Sequence, residues 1–268
     1  MREHRCNFKI LFHLIMEELS KIPALRKTPC TKQCQFSMDV CLIACGVRCA
    51  YLVDAVTPLD PVRTFSSLLQ NLRDKSAVFR DVVLWIDSTH LQTFFVNTRL
   101  FDEKTVDSSM NPTFVLLDKD LTVSTLPPDG LTEVLLGMHV AMASRDALSF
   151  FFPDNLTQVV LVPLAAVLVD YPVAYVPVSP DQAVFLGAEP LDVYEVASPL
   201  DTVNPSTRSH DFTFLKFSCP QKLADICPQL SQAHLVQRLH DIFTLRLGII
   251  GASVTVGHHT ETLDRVAL

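Results

Sequence analysis

Two aspartates and one histidine have positions in this chain that suggest chemistry. Asp54 ends a short apolar run at residues 50–53, and Asp87 ends a second apolar run in the segment "DVVLWIDSTH". His90 follows Asp87 by three residues. Carboxylates at the ends of neighbouring strands can hold Mg²⁺ or act as a nucleophile and an acid, and a nearby histidine can act as a base. The pattern predicts a metal-assisted hydrolase site formed by Asp54, Asp87 and His90.

The same residues also have a purely structural interpretation. An aspartate or a serine after a strand commonly caps the next helix or shapes a turn. Phosphatases of the haloacid-dehalogenase type carry a second aspartate two residues after the first, whereas Val56 and Thr89 occupy those positions here. The sequence leaves both interpretations open. Asp170, in "VLVDYP", lies between a predicted helix and a predicted strand, which favours a role in a turn.

Five of the eight cysteines lie close together, mostly four residues apart, at Cys30, Cys34, Cys41, Cys45 and Cys49. A spacing of four places side chains on one face of a helix, where buried thiols pack as small apolar groups. Zinc sites usually combine closely spaced cysteines with a second cysteine or histidine pair, for which Cys219 and Cys227 are available. The pattern favours buried thiols in a reducing, intracellular compartment and leaves a zinc site as the alternative.

Composition disfavours several classes of function. The 268 residues include 29 acidic and 22 basic side chains, for a net charge of −7, so a cationic surface for nucleic acid is not expected. Only 7 glycines occur, and none belongs to a G-x-G-x-x-G or G-x-x-x-x-G-K-[ST] loop that binds phosphates. The H-E-x-x-H and G-x-S-x-G motifs are also missing from the sequence. The sequence therefore identifies no cofactor.

The most apolar segment, residues 159–178, is not expected to cross a membrane. It contains Asp170 and three prolines. Its uninterrupted apolar part has 11 residues, which is fewer than the roughly 20 that a transmembrane helix needs. Residues 8–19 have the spacing of an amphipathic helix rather than the continuous apolar centre of a secretory signal. We expect a cytoplasmic protein, with the nucleus as an open alternative.

The order of the predicted elements indicates an α/β fold. Apolar runs typical of buried strands alternate with amphipathic helical segments. The mean hydropathy of +0.28 indicates a large core. Residues 1–29 are predicted to form an N-terminal amphipathic helix and a linker, and residues 30–268 a single α/β domain. We expect a mixed, central β-sheet that helices cover on both faces.

Several segments taken together resemble a known family. In chain order they are "GVRCAYLVD", "LAAVLVDYPVAYVPV", "FLGAEPLDVYEV", "FLKFSCPQKL" and "TETLDRVAL". Their order and spacing are similar to those of an uncharacterised eukaryotic family, a domain of unknown function typified by a vertebrate open-reading-frame protein of about this length. The resemblance covers most of the chain from Cys30 onward. It implies an intracellular eukaryotic protein and identifies no catalytic residue.

These observations favour a non-catalytic interaction or scaffold domain with an unidentified protein partner. The alternative is an uncharacterised metal-assisted hydrolase that uses Asp54 and Asp87, with His90 as a helper. Two geometric features separate these functions. One is the distance between the two carboxylates, and the other is whether backbone amides already bind them.

Overall fold

A computed structural model describes residues 7–106, 111–143, 147–182, 186–187, 189–200 and 211–262 of the chain. Helices and strands occur in mixed order along these residues, so the predicted α/β class is confirmed. The helices are α1 (Phe8–Lys21), α2 (Cys30–Ala44), α3 (Pro61–Lys75), α4 (Thr98–Val106), α5 (Leu131–Met142), α6 (Gln158–Leu168), α7 (Leu223–Ile226) and α8 (Gln232–Gly248). The strands are β1 (Ala50–Leu52), β2 (Val82–Asp87), β3 (Gln92–Asn97), β4 (Thr113–Leu116), β5 (Thr122–Ser124), β6 (Ser149–Phe151), β7 (Val173–Val176), β8 (Pro190–Ser198), β9 (Phe212–Pro220) and β10 (Thr255–Thr262).

The strands of the described residues form three sheets, where the sequence predicts one central sheet. The strand orders are β1-β3-β2-β6, β5-β4-β7 and β10-β8-β9. The β2–β6 and β4–β7 pairs are parallel, and the other pairs are antiparallel. Neighbours along the chain, such as β2 with β3 and β4 with β5, pair with each other because antiparallel strands need only a short connection. This local pairing distributes the strands over several sheets.

The sheet that contains β2 is covered on both of its faces, as predicted. Alternate residues of a strand point to opposite faces, and those of β2 enter two different hydrophobic cores. Leu84 and Ile86 pack in one core with residues of α1, α2, α3 and α8. Val83 and Trp85 pack in the other core with residues of α4, α5 and α6. The apolar sequence of residues 82–86 in this strand reflects its burial on both sides.

The N-terminal helix α1 is part of the first of these cores. The side-chain oxygen of Asn7 accepts a hydrogen bond from the Ile10 amide at 3.2 Å and caps the helix start. Its buried residues recur at the predicted helical spacing and include Ile15 and Leu19, which are fully buried. Residues 8–21 therefore contribute to the same core as the α/β body that follows them.

The apolar segment at residues 159–178 forms α6, a tight turn and β7. Helix α6 has 11 residues and contains Pro163 within it. Among the described residues, no helix has the length and apolar character that crossing a bilayer requires. One side of α6 packs in the second core, and other residues of the helix line the cavity described below.

Asp170 occupies the turn between α6 and β7, as predicted, and it also anchors a buried cluster of charges. Its side chain is 3% exposed and lies 2.8 Å from Lys104 Nζ of α4 and 3.1 Å from Arg246 Nη1 of α8. The amide of Cys49, just before β1, donates a hydrogen bond to the carboxylate at 2.7 Å. Burial opposes ionisation, but Arg246 and Lys104 outweigh it and hold the pKa of Asp170 well below its usual range. The cluster joins α4, α6, α8 and β1.

Candidate functional site

A cavity of about 590 Å³ lies where the three sheets approach one another. Its lining includes residues of β1, β7 and β9, each of which is an edge strand of its own sheet, together with residues of α2 and α6. The volume is within the range of known ligand pockets. Apolar and aromatic side chains form most of the walls. A connected group of polar residues, called the polar end below, comprises Gln35, Asp39, Arg48, Tyr51 and Asp54.

Among the described residues, β9 pairs with β8 alone, and its other edge, called the free edge below, forms one wall of the cavity, to which residues 213–218 all contribute. The amide of Gln221 donates a hydrogen bond to the carbonyl of Pro190 at 3.1 Å. From this pair onward, every second residue of β9 directs its backbone groups toward β8. Alternate residues of an antiparallel strand direct their backbone groups to opposite sides. Lys216 and Ser218 therefore direct their N–H and C=O groups away from β8. These groups take no part in the β8–β9 ladder, so the N–H groups of Lys216 and Ser218 and the carbonyl of Lys216 are open to a further strand, whereas the carbonyl of Ser218 accepts a hydrogen bond from the hydroxyl of Tyr175.

The edge of β7 faces β9 across the cavity. The carbonyl of Pro172 accepts a hydrogen bond from the amide of Thr113 at 2.9 Å, so Val173 and Tyr175 direct their backbone groups away from β4. The hydroxyl of Tyr175 spans the gap between the two sheets and donates to the carbonyl of Ser218 at 2.9 Å. This bond places the edge of β9 within reach of a side chain of β7.

The edge of β1 completes the arrangement. The carbonyl of Cys49 accepts from the amide of Asn97 at 2.8 Å, and the amide of Val53 donates to the carbonyl of Thr93 at 2.9 Å. Every second residue from Cys49 to Val53 directs its backbone groups toward β3. Leu52 lies between two of these residues, so its backbone groups point away from β3. Leu52 also lines the cavity. An edge strand from each of the three sheets thus contributes residues to one cavity.

A buried ion pair lies at the polar end. Gln35 and Asp39 are four residues apart on α2 and share one helical face, and Arg48 follows in the loop before β1. Arg48 Nη1 contacts Asp39 Oδ1, and Gln35 Nε2 donates to the other carboxylate oxygen at 3.2 Å. The side chains of Arg48 and Asp39 are only 8% and 3% exposed. Burial raises the pKa of Asp39 to about 6, although Arg48 and Gln35 oppose the rise.

Asp54 ends its strand as predicted, two residues after β1, and is exposed at the polar end. The hydroxyl of Tyr51 donates a hydrogen bond to Asp54 Oδ1 at 3.0 Å. Burial, followed by the charges of Asp39 and Asp54, raises the pKa of Tyr51 well above its ordinary value. The phenol therefore stays protonated and remains a donor to Asp54.

Asp87 and His90 are in contact, as their spacing in the sequence suggests. Asp87 is the last residue of β2 and is 4% exposed. Its carboxylate accepts hydrogen bonds from the amides of Thr89 and His90 at 2.9 and 3.2 Å, and it lies 2.7 Å from His90 Nδ1. The aspartate thus shapes the turn between β2 and β3. His90 lines the cavity, and its side chain is 38% exposed.

The predicted site residues are brought to the same region but not into one cluster. β1 and β2 run in the same direction with β3 between them. Asp54 and Asp87 therefore lie at the same end of the sheet, where these two strands finish. Two strand spacings separate the backbones of these strand ends by about 10 Å. In the part of the chain that the structure describes, no group of three or more His, Cys, Asp or Glu side chains could hold a metal ion.

The ion pair between Asp39 and Arg48 is not among the residues that the sequence singles out. A signal was present, because "MDVCLIACGVRC", residues 38–49, contains one acid and one base among apolar residues. Charged side chains in such a segment are expected to be buried, and buried charges are normally paired.

The cysteines follow the predicted pattern only in part. Cys41, Cys45 and Cys49 are buried as predicted, whereas Cys34 is only partly buried and Cys30 is exposed. The prediction of one helical face fails for Cys49 because α2 ends at Ala44 and Cys49 lies in the connection to β1. The sulfur atoms of Cys30 and Cys34 lie 3.9 Å apart in the first turns of α2.

Comparison of the chain with protein families, with curated proteins and with solved structures finds no match. The resemblance to an uncharacterised eukaryotic family stays a prediction. The geometry of the cavity is therefore the basis for the function proposed below.

Proposed function

We propose that this chain is a non-catalytic interaction domain that binds an extended segment of a partner protein in the cavity. The observation that carries the proposal is the free edge of β9, where Lys216 and Ser218 direct backbone groups away from their sheet in a wall of the cavity. An extended peptide can pair with such an edge as an added strand, while its alternate side chains enter neighbouring pockets.

The surroundings of this edge support a peptide as the ligand. Tyr171, Phe214 and Phe217 provide apolar and aromatic surface beside β9, which suits the apolar side chains of a bound strand. The edges of β7 and β1 add further backbone donors and acceptors around the same space. A compact small molecule would fill the volume but would leave most of these edge groups without partners.

The polar side chains around the cavity support binding rather than catalysis. Asp39 is already paired with Arg48 and Gln35. Asp87 is buried and holds two backbone amides of its own turn. A nucleophile or a general base has to reach the substrate, and these carboxylates are instead bound to the protein itself.

The second candidate function is the metal-assisted hydrolase that uses Asp54, Asp87 and His90. The contact between His90 and Asp87 supports it, because the carboxylate orients a histidine that faces the cavity. Asp54 lines the same cavity. A panel of phosphate and carboxylate esters, assayed with and without Mg²⁺, tests this function. Turnover that is lost in both Asp54→Asn and Asp87→Asn would replace the interaction proposal.

The interaction proposal is tested by selecting ligands from a random library of peptides with the full chain as bait. Affinities of the selected peptides are then measured by calorimetry for the wild type and for two variants. Lys216→Pro removes an N–H that points away from β8, so the β8–β9 ladder is kept while strand addition is blocked. Lys216→Ala is the matched control, because it removes the same side chain and keeps the N–H.

The proposal predicts that selected peptides bind the wild type and Lys216→Ala with similar affinity. Lys216→Pro should weaken binding at least about tenfold, since blocking one strand hydrogen bond and the approach of the peptide costs more than about 1.4 kcal/mol. Selected peptides that bind both variants equally would show that the edge of β9 is not the binding site. A library that yields no binder would also contradict the proposal.

The proposal includes a cytoplasmic location, with the nucleus as the alternative. It is supported by the cysteines, because no disulfide joins those that the structure describes. Fluorescence microscopy of the tagged full chain in a eukaryotic cell line tests the location. Accumulation in the secretory pathway would contradict it.

A further inference from the structure

The polar end of the cavity has one carboxylate more than its cations neutralise. Asp39 and Arg48 form a contact pair, so their charges offset each other. Asp54 is the second carboxylate, and among the described residues it enters no ion pair and accepts its hydrogen bond from the neutral hydroxyl of Tyr51. The polar end therefore carries a net charge of about −1 once Asp39 is ionised.

The other charged groups that line the cavity do not supply the missing cation. Lys216 Nζ lies 2.7 Å from a carboxylate oxygen of Glu195 on the neighbouring strand. His90 is turned toward Asp87, with its Nδ1 2.7 Å from that carboxylate. Each of these groups has an acidic partner of its own, so Asp54 remains available to a ligand.

Two tyrosines, Tyr51 and Tyr171, line the cavity together with Asp54. The guanidinium carbon of Arg48 lies 5.9 Å from the centre of the Tyr51 ring, within the range of a cation–π contact. At Tyr171, burial raises the pKa, the charge of Arg48 opposes the rise, and the charge of Asp54 adds to it. Carboxylate oxygens combined with tyrosine rings form an environment that favours a cationic group over a neutral or anionic one.

A further group at the polar end lacks a partner. Arg48 is 6% exposed, and its Nε has no hydrogen-bond acceptor among the described residues. A buried donor without an acceptor is unfavourable. A carbonyl oxygen from a bound peptide backbone is the kind of group that would satisfy it.

We propose that the polar end selects peptides with a basic side chain, whose ammonium or guanidinium group binds Asp54 in the cavity that Tyr51 and Tyr171 also line. This inference rests on the proposed function, because the basic side chain belongs to the peptide paired with β9. The bound peptide places its apolar side chains against the walls and its one cation at the polar end. The site thereby distinguishes among extended peptides that would otherwise pair equally well with a free strand edge.

The inference is tested with peptides from the selection, measured against the full wild-type chain by calorimetry. In each peptide, every lysine or arginine is replaced in turn by norleucine, which keeps an apolar side chain and removes the charge. We expect one position at which the replacement weakens binding roughly 10- to 150-fold, the range of one hydrogen bond to a charged group. The Asp54→Asn variant should lose this preference and bind the basic peptide and its norleucine counterpart with equal affinity. Asp74→Asn, at an exposed position of α3 outside the cavity lining, should preserve the preference.

The outcomes separate this inference from the function on which it rests. If peptides bind, and Lys216→Pro abolishes their binding, but norleucine peptides bind as tightly as the basic ones, the interaction domain stands and the cation site is refuted. A preference that persists in Asp54→Asn would also refute it. If no peptide binds the wild type, the proposed function and the cation site fail together.

Discussion

Asp39 and Arg48, nine residues apart in the sequence, form an ion pair that is buried at the polar end of the cavity where α2 leads into β1. Both residues line the cavity, so their environment depends on the empty space beside them as well as on the protein. Burying two charges is costly, and their attraction offsets this cost only when the pair is intact. The protonation state of Asp39 therefore affects both the stability of the fold and the charge within the cavity.

Asp39 should make the free energy of unfolding depend on pH between about 4 and 6. The folded chain holds this proton more tightly than the unfolded chain, since the pKa of Asp39 rises from 3.8 to about 6. Its stabilising contribution is thus full below pH 3.8 and is lost as the pH rises through 6. Urea unfolding of the wild type and Asp39→Asn at several pH values measures the difference. The wild type should lose up to about 3 kcal/mol relative to the variant, and a constant difference would contradict this prediction.

Asp170→Asn should destabilise the chain strongly. The substitution leaves Lys104 and Arg246 buried together without their common counter-ion. Removal of one member of a buried ionic network typically costs about 3–5 kcal/mol. Because the pKa of Asp170 is lowered by its partners, its contribution is present above its ordinary pKa and is lost as the pH falls.

Urea unfolding at pH 7 measures the effect of Asp170→Asn. Asp74→Asn is the matched control, since Asp74 is exposed on α3, and it should change stability by less than about 0.5 kcal/mol. A loss below about 1 kcal/mol in Asp170→Asn would show that the buried cluster is not an anchor of the fold.

The two strand-end aspartates should differ in their effects on stability. Asp87→Ala removes the acceptor of two turn amides and of His90, and should cost about 1–3 kcal/mol. Asp54 is exposed, with a single hydrogen bond from Tyr51, so Asp54→Ala should cost less than about 1 kcal/mol. Thermal unfolding of both variants makes the comparison. Equal losses would contradict the assignment of Asp87 to the turn.

Cys30 should be the most reactive of the described thiols. It is exposed, whereas burial raises the pKa of Cys49 and Cys219 to about 12 and shields them from reagents. In a Cys6→Ser background, maleimide labelling followed by mass spectrometry should show rapid modification of Cys30. Cys49 and Cys219 should react only in denaturant. Rapid native labelling of either buried cysteine would contradict the packing of β1 or β9.

Local features of the fold are predictable from the sequence because they depend on residues close together in the chain. The spacing of apolar residues identifies α1, and Gly46, with a φ of +69°, follows the end of α2 as a glycine in the left-handed conformation usually does. The turn roles of Asp87 and Asp170 also follow from local patterns. Each of these features is determined within about one helical turn or one hairpin.

Features that join distant parts of the chain are not predictable in the same way. The division of the strands into three sheets depends on which edges pair, and the apolar runs of β1, β7 and β9 do not specify this. The partners of Asp170 lie at positions 104 and 246, and no periodicity connects them. The cavity is lined by edge strands of three sheets that are distant in sequence, together with residues of α2 and α6.

Hydrogen–deuterium exchange at single amides of β9, with and without a selected peptide, tests the strand-addition proposal most directly. The amides of Lys216 and Ser218 point away from β8, whereas the amide of Phe217 points toward it. Strand addition predicts that saturating peptide slows exchange at Lys216 and Ser218, while Phe217 is protected in both states. Unchanged exchange at Lys216 and Ser218 in the bound state would contradict the proposal that a peptide pairs with this edge.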